Sequence, residues 1–232
     1  MKETDHAIFL HRIHYSESSL ITTFYTKNKG LQKFIFQGGK KKSVGIFPLA
    51  LSEIHYYHRP DSELGKLTAT TPLLMLHELS TNPIKSTLAF FIADVLKNCL
   101  KTDQKDIQLF DFLAERIEKL SETSELSVFN TQFLVDFTHH LGIEPLVPVK
   151  AKKYFYLQEG EFSDVYNAGE LMAGHSGVQL IQELYLNQAE SQNYSKQTKK
   201  EAFETMLTYY KLHLPSFNIS NSLSIIYDIL YA

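Results

Sequence analysis

Cysteine occurs once in the 232-residue chain, as Cys99, so neither an internal disulfide nor a cysteine-rich zinc site can form. It lies in the apolar segment LAFFIADVLKNCL, and a chain without disulfides fits a reducing cytoplasm. Long hydrophobic runs are missing too. No stretch approaches the roughly 18 apolar residues of a membrane span, and charge and histidine interrupt the N-terminal MKETDHAIFLHRIH where a signal peptide would need an unbroken apolar core. The expectation is a soluble, cytoplasmic protein without a membrane partner. Internal repeats and low-complexity segments are also absent.

Catalytic signatures fail on inspection. A P-loop needs glycine, four residues, then Gly-Lys-Ser/Thr, but Gly39-Lys40 is followed by Lys41 and Phe34 occupies the place of the first glycine. AGHSGV has the outline of a nucleophile elbow, yet Val178 replaces its second glycine and no α/β strand leads into it. Ser176 with Gln179 reads instead as a capping box that opens a helix. The histidines include His6, His11, His14, His55, His58 and the pair His139-His140, and none has the carboxylate or cysteine company of a known metal-ligand spacing. Acidic residues are scattered among helix surfaces with lysines nearby. No metal, cofactor or catalytic residue is expected, which leaves the histidines as the one place where a cofactor-free enzyme site could sit.

What the chain does have is charge that is unevenly spread. The net charge is -3, but residues 1–45 hold eight lysines and arginines against three acids, a net +5 that leaves -8 for the rest. A basic N-terminal part joined to an acidic C-terminal part suggests two domains with different partners, the first of them a polyanion.

Turn signals divide the first seventy or so residues into strands near 6–13, 20–26, 31–37, 49–57 and 64–71, the number expected of an OB-type barrel. KNKG between the second and third supplies Gly30 for the left-handed position of a hairpin loop. GGKKKSVGIFP between the third and fourth is too glycine-rich for regular structure, which puts Lys40, Lys41 and Lys42 on a loop. From Asn82-Pro83 the period lengthens toward 3.6. Ile84, Leu88, Phe91, Ile92, Val95 and Leu96 share one stripe of a first helix; segments 107–120 and 126–143 repeat the pattern, Gly142 stopping the latter. A small hairpin turning at Glu159-Gly160 and further helices near SGVQLIQELYLNQ, TKKEAFETMLTYYKLHL and NSLSIIYDILYA complete the chain. The fold class is therefore α+β, with a barrel domain over residues 1–80 and a mainly α-helical domain over 81–232 that carries the hairpin at about 146–166.

Phe24, Tyr25, Phe34, Phe36, Tyr56 and Tyr57 fall in the strands, where alternation sends some rings to the core and leaves others outside. Exposed rings beside lysines would be stacking platforms for unpaired bases. The lysine loop adjoins Lys27, Lys29 and Lys33, and its glycines allow close approach to a phosphate backbone. A solvated, solubilising turn is the alternative for the same residues.

The stretch AIFLHRIHYSESSLITTFYTKNKGLQKFIFQGGKKKS resembles the RecO family of bacterial recombination mediators. Its strand ending in Leu-His, its turn Tyr15-x-Glu17-x-Ser19-Leu20, Gly30, and the basic run after Gln37-Gly38 stand in the family's order. Pro48 with LALSEIHYY, the helix end HHLGIEP and the C-terminal TYYKLHLPSFNISNSLSII extend the resemblance over nearly the whole chain. It implies an N-terminal OB-fold, binding of single- and double-stranded DNA, annealing of strands coated by the single-stranded-DNA-binding protein, and action with RecR so that RecA loads on the nucleoid. Carried over position by position, the DNA contacts are Arg12, Lys29, Lys33, Lys40, Lys41 and Lys42, with Lys27 and Arg59 beside them. The zinc module of many relatives has no cysteines here, so Tyr154, Tyr156 and Phe162 are expected to hold the hairpin. Relatives dock the acidic, Phe-ended tail of the single-stranded-DNA-binding protein through basic residues of the helical domain, and here Thr131 and Gln132 stand where some have arginines, which leaves that position open. A protein-interaction adaptor whose barrel binds only protein partners is the alternative from another class.

Overall fold

The N-terminal strand β1 (Lys2–His14) pairs on one side with β2 (Leu20–Thr26), which continues into β3 (Gly30–Phe36), and on the other with β4 (Leu51–Tyr57) and then β5 (Gly65–Pro72). Three parallel pairs between β3 and β5 close the ring, giving a five-stranded OB-type barrel in the order β1-β2-β3-β5-β4. This computed structural model describes residues 2–38, 46–58, 62, 64–73, 77–102 and 104–231. Alternation fills the interior with Phe9, Phe24, Phe34, Phe36, Ile54, Tyr56 and Leu67. The rings meet edge-on or tilted, Phe9 against Phe24 at 5.3 Å, Phe24 against Phe34 at 6.0 Å and Phe34 against Tyr56 at 4.9 Å between centroids.

β1 begins at Lys2 rather than His6. Its first residues lack an apolar period because the inward acids near the barrel end have polar partners. Asp5 accepts from the Asn28 backbone N–H and side-chain amide at 3.2 and 2.8 Å, which ties β1 to the β2–β3 turn. In that turn Gly30 has φ +66° and its missing Cβ would stand 2.3 Å from the Gln104 carbonyl oxygen.

After α1 (His77–Thr81), α2 (Pro83–Cys99) starts as its residues dictate: Asn82 caps the Ile84 and Lys85 amides and Pro83 takes the first turn. Leu88, Phe91, Ile92, Val95 and Leu96 are buried, whereas Ile84 stays exposed in that first turn. In α3 (Ile107–Glu122), Phe110 stacks on Tyr25 of β2 at 6.2 Å, and Asp106 caps the start. The buried Lys85 ammonium donates to the Ser121 carbonyl at the end of α3 (2.6 Å). These contacts place the limit of the first compact unit at Thr123, beyond the change of secondary structure near residue 80, because the outer face of β2 is apolar and needs cover.

The second unit, Ser124–Ala232, begins with α4 (Phe129–Leu141), ended by Gly142 at φ +68°. A three-stranded sheet follows, β6 (Tyr154–Tyr156), β7 (Glu161–Ser163) and β8 (Met172–Ala173), then α5 (Ser176–Tyr185), α6 (Lys196–His213) and α7 (Ser220–Ile226). The hairpin turns through Gly160 at φ +68°. Phe155 and Tyr156 are its buried rings: Phe155 lies parallel to Phe162 at 4.3 Å and against Tyr209 of α6 at 5.3 Å, and the Tyr156 hydroxyl donates to the Val165 carbonyl at 2.7 Å; Tyr154 is only half-buried, edge-on to Tyr166. Buried Gln182 accepts from the Lys152 N–H (2.8 Å) and donates to the Lys152 carbonyl (2.9 Å), clamping the hairpin's entry to α5. The capping box does not form. Ser176 is already the first helical residue, and its hydroxyl donates to Glu201 of α6 at 2.9 Å.

Gly30→Ala should cost roughly 2–4 kcal/mol, strain and overlap adding, while Gly142→Ala, with nothing within 4 Å of its Cβ, should cost about 1–2 kcal/mol; urea midpoints compare them. Gln182→Ala, which strands two backbone groups, should cost roughly 2–4 kcal/mol by the same measurement.

Candidate nucleic-acid interface

The strands of the barrel deliver the expected cations in two different states. Arg12 on β1 and Lys33 on β3 are exposed and have no acidic partner among the described residues. Lys27 donates to Asp111 of α3 at 2.8 Å with its ammonium 5.6 Å from the Phe110 ring centre. Lys29 donates to Glu3 at 2.5 Å and stands 5.5 Å from the Tyr56 ring centre. That hydrogen bond from Lys29 holds the Glu3 carboxyl below its ordinary range, and burial pushes the Tyr56 phenol up. Lys27 and Lys29 thus serve first as internal ties. Lys40, Lys41, Lys42 and Arg59 lie outside the described residues.

Arg12 and Lys33 do not form one cluster. Arg12 pairs with Thr22 and Lys33 with the next residue, Thr23, so the two side chains leave the sheet on opposite faces. Arg12 lies beyond Ile8, where β1 has parted from β4. Lys2 on β1 and Lys66 on β5 are also exposed without an acidic partner among the described residues. Nothing in the sequence marks Lys66, since a single lysine in an alternating strand is ordinary; its signal is the register, which only the closed barrel reveals.

The aromatic candidates sort clearly. Phe24, Tyr25, Phe34, Phe36 and Tyr56 are buried, at most 2% exposed, and so are core residues rather than platforms. Tyr57 alone of the six faces solvent, at 46%. The outer face of β2 and β3, where an OB-fold ordinarily holds its ligand, is partly covered by the chain itself: Tyr25 donates to the Asp106 carbonyl at 3.3 Å, and Thr102 bridges to Gly30 and Leu31.

Several histidines have partners of their own. His55 pairs with the Thr4 hydroxyl (2.9 Å) and Glu53 (3.2 Å), His139 with Glu144 (2.7 Å), and His213 donates to the Leu157 carbonyl (2.8 Å). Among the described residues no three His, Cys, Asp or Glu side chains are placed to hold a metal. Ser176, whose hydroxyl goes to Glu201, lacks the serine-to-imidazole hydrogen bond of an activated nucleophile. Among the described residues no helix is long and apolar enough to cross a membrane. In the second unit Thr131 is fully buried, and Gln132 donates to Asp136 and the Leu184 carbonyl, so neither is free for an incoming peptide.

Comparison with known proteins agrees with this architecture. Residues 1–74 match the family model described as Recombination protein O N terminal, and residues 80–221 match Recombination protein O C terminal. Relatives include proteins named DNA repair protein RecO from Christiangramia forsetii (28% identical, covering 96% of this chain and 97% of that one), Flavobacterium psychrophilum (24%, covering 96% and 97%) and Phocaeicola vulgatus (26%, covering 96% and 96%). With both models matched in order on the barrel and the helical part that follows, the chain belongs to the RecO family.

Proposed function

We propose that the protein is a recombination mediator in DNA repair. It binds single- and double-stranded DNA, anneals complementary strands coated by the single-stranded-DNA-binding protein and, with RecR, helps RecA to load, in the cytoplasm on the nucleoid. The observation that carries this reading is the match of both parts of the chain to the RecO models. The barrel adds physical support. Exposed Arg12 and Lys33 can neutralise phosphates without giving up an acidic partner among the described residues, and the same role is proposed for Lys40, Lys41 and Lys42 of the basic run. Lys27 and Lys29 reach a phosphate only by giving up Asp111 and Glu3. Contacts of this kind position DNA of any sequence without reading it.

For the hairpin we propose Phe155 stacking and the Gln182 clamp in the place that the zinc module takes in many relatives, and no cofactor. A chelator should therefore leave the thermal unfolding midpoint where it was, and a fall would reveal a structural metal.

Binding to single-stranded DNA, titrated across salt concentrations, should show a log–log slope that flattens by about 1.4 for the Arg12→Ala, Lys33→Ala double variant and by about 2 for Lys40, Lys41 and Lys42 changed together to alanine. An unchanged slope removes those residues from the interface. Coated complementary strands should anneal faster with the protein; failure there, with no DNA binding at low salt, would favour the adaptor whose barrel binds only proteins.

A further inference from the structure

A lane of side chains crosses the outside of the barrel at right angles to the strands. Lys2 of β1 pairs with Tyr57 of β4, Tyr57 with Lys66 of β5, Lys66 with Ile35 of β3, Ile35 with Ile21 of β2, and Ile21 with Ile13 farther along β1. Directly paired residues project from one face. That face is the outer one: Tyr56 and Leu67, next along the chain, are in the core at 2%, while Lys2, Tyr57, Lys66 and Ile13 are exposed and Ile21 and Ile35 half-buried. With strands about 4.8 Å apart, the two lysines flank the tyrosine across roughly 10 Å.

We propose that this lane is a subsite for single-stranded DNA, in which one unpaired base stacks on the Tyr57 ring and the adjoining phosphates pair with Lys2 and Lys66. It rests on the DNA-binding reading above and names the barrel face involved. The chemistry selects the ligand. A ring offers its face only to a base whose own face is free, which a base inside a duplex does not have. Cations on either side of the ring suit a ligand with an anion at each repeat, and the half-buried Ile21 and Ile35 continue the lane as an apolar track for the next base. Farther along β2 and β3, at Tyr25, Gly30 and Leu31, the outer face is partly occupied by α3 and by the segment before it. Lys33, two residues from Ile35 on the same side of β3, extends the basic border.

The chain contains no tryptophan, so Tyr57→Trp places a single indole in the full-length protein at the proposed contact. Its fluorescence should be quenched on titration with oligo(dT) and not with a duplex of equal length. Tyr57→Ala should weaken oligo(dT) binding by about 5- to 150-fold and leave duplex binding unchanged, with Tyr57→Phe close to wild type. Lys2→Ala and Lys66→Ala should each flatten the salt slope on oligo(dT) by about 0.7. Thermal unfolding of the variants confirms that they fold. Oligo(dT) binding by Tyr57→Ala equal to wild type, or equal losses on oligo(dT) and duplex, overturns the subsite and leaves the mediator reading standing. No oligo(dT) binding by the wild type overturns both.

Discussion

Three parallel residue pairs, Phe34–Gly65, Ile35–Lys66 and Phe36–Leu67, close the barrel, and most of what the N-terminal unit does follows from that seam. Parallel pairing needs the two backbones to come together over the Phe34 ring, and Gly65 allows it: a Cβ there would stand 2.5 Å from a Phe34 ring carbon. Once the seam forms, Phe34 and Phe36 are fixed inward with Phe24 and Tyr56, and a one-residue slip would turn the whole set toward water. The same register sets Lys66 beside Ile35 on the outside. The core and the outer lane are thus two faces of one constraint.

The outer surface created by closure is then divided between cover and access. β2 is buried on nearly every residue because its inward side chains fill the barrel and its outward Tyr25 lies under Phe110. Lys27 and Lys29 follow the hairpin into that covered region and find Asp111 and Glu3 there. Both pairs retain solvent contact, so each contributes on the order of 0.2–1 kcal/mol, and their consequence is chiefly positional. They hold the hairpin and α3 in place while Arg12, Lys33, Lys2 and Lys66 stay open.

Much of the fold was legible because the relevant signals are local. β2 has the predicted bounds, Gly30, Gly142 and Gly160 take the left-handed positions their turns require, and Asn82-Pro83 starts α2. The misses occur where a distant partner changes the local rule. β4 begins at Leu51, not residue 49, because Leu49 adopts φ +65° to bring its N–H within 2.8 Å of the Phe9 carbonyl. Ser176 leaves the capping role because Glu201 lies across the α5–α6 contact. Phe155 was hidden between two tyrosines of similar character, and only the stacking on Phe162 and Tyr209 distinguishes it.

The candidate site was legible to a smaller degree, and the reason is that charge counting sees residues one at a time. A basic stretch of net +5 predicts a polyanion-binding face, yet it contains Lys27 and Lys29, whose charges are already met by Asp111 and Glu3, and it omits Lys66, which lies outside the stretch. What attracts a phosphate is the charge left unpaired on one accessible face, where the potential is not cancelled within a Debye length of about 10 Å. Lys2 and Lys66 are 64 positions apart in sequence and two strands apart in space. Only closure of the sheet makes them neighbours of one tyrosine, so the proposed subsite is a property of the barrel's register and of no run of residues in the sequence.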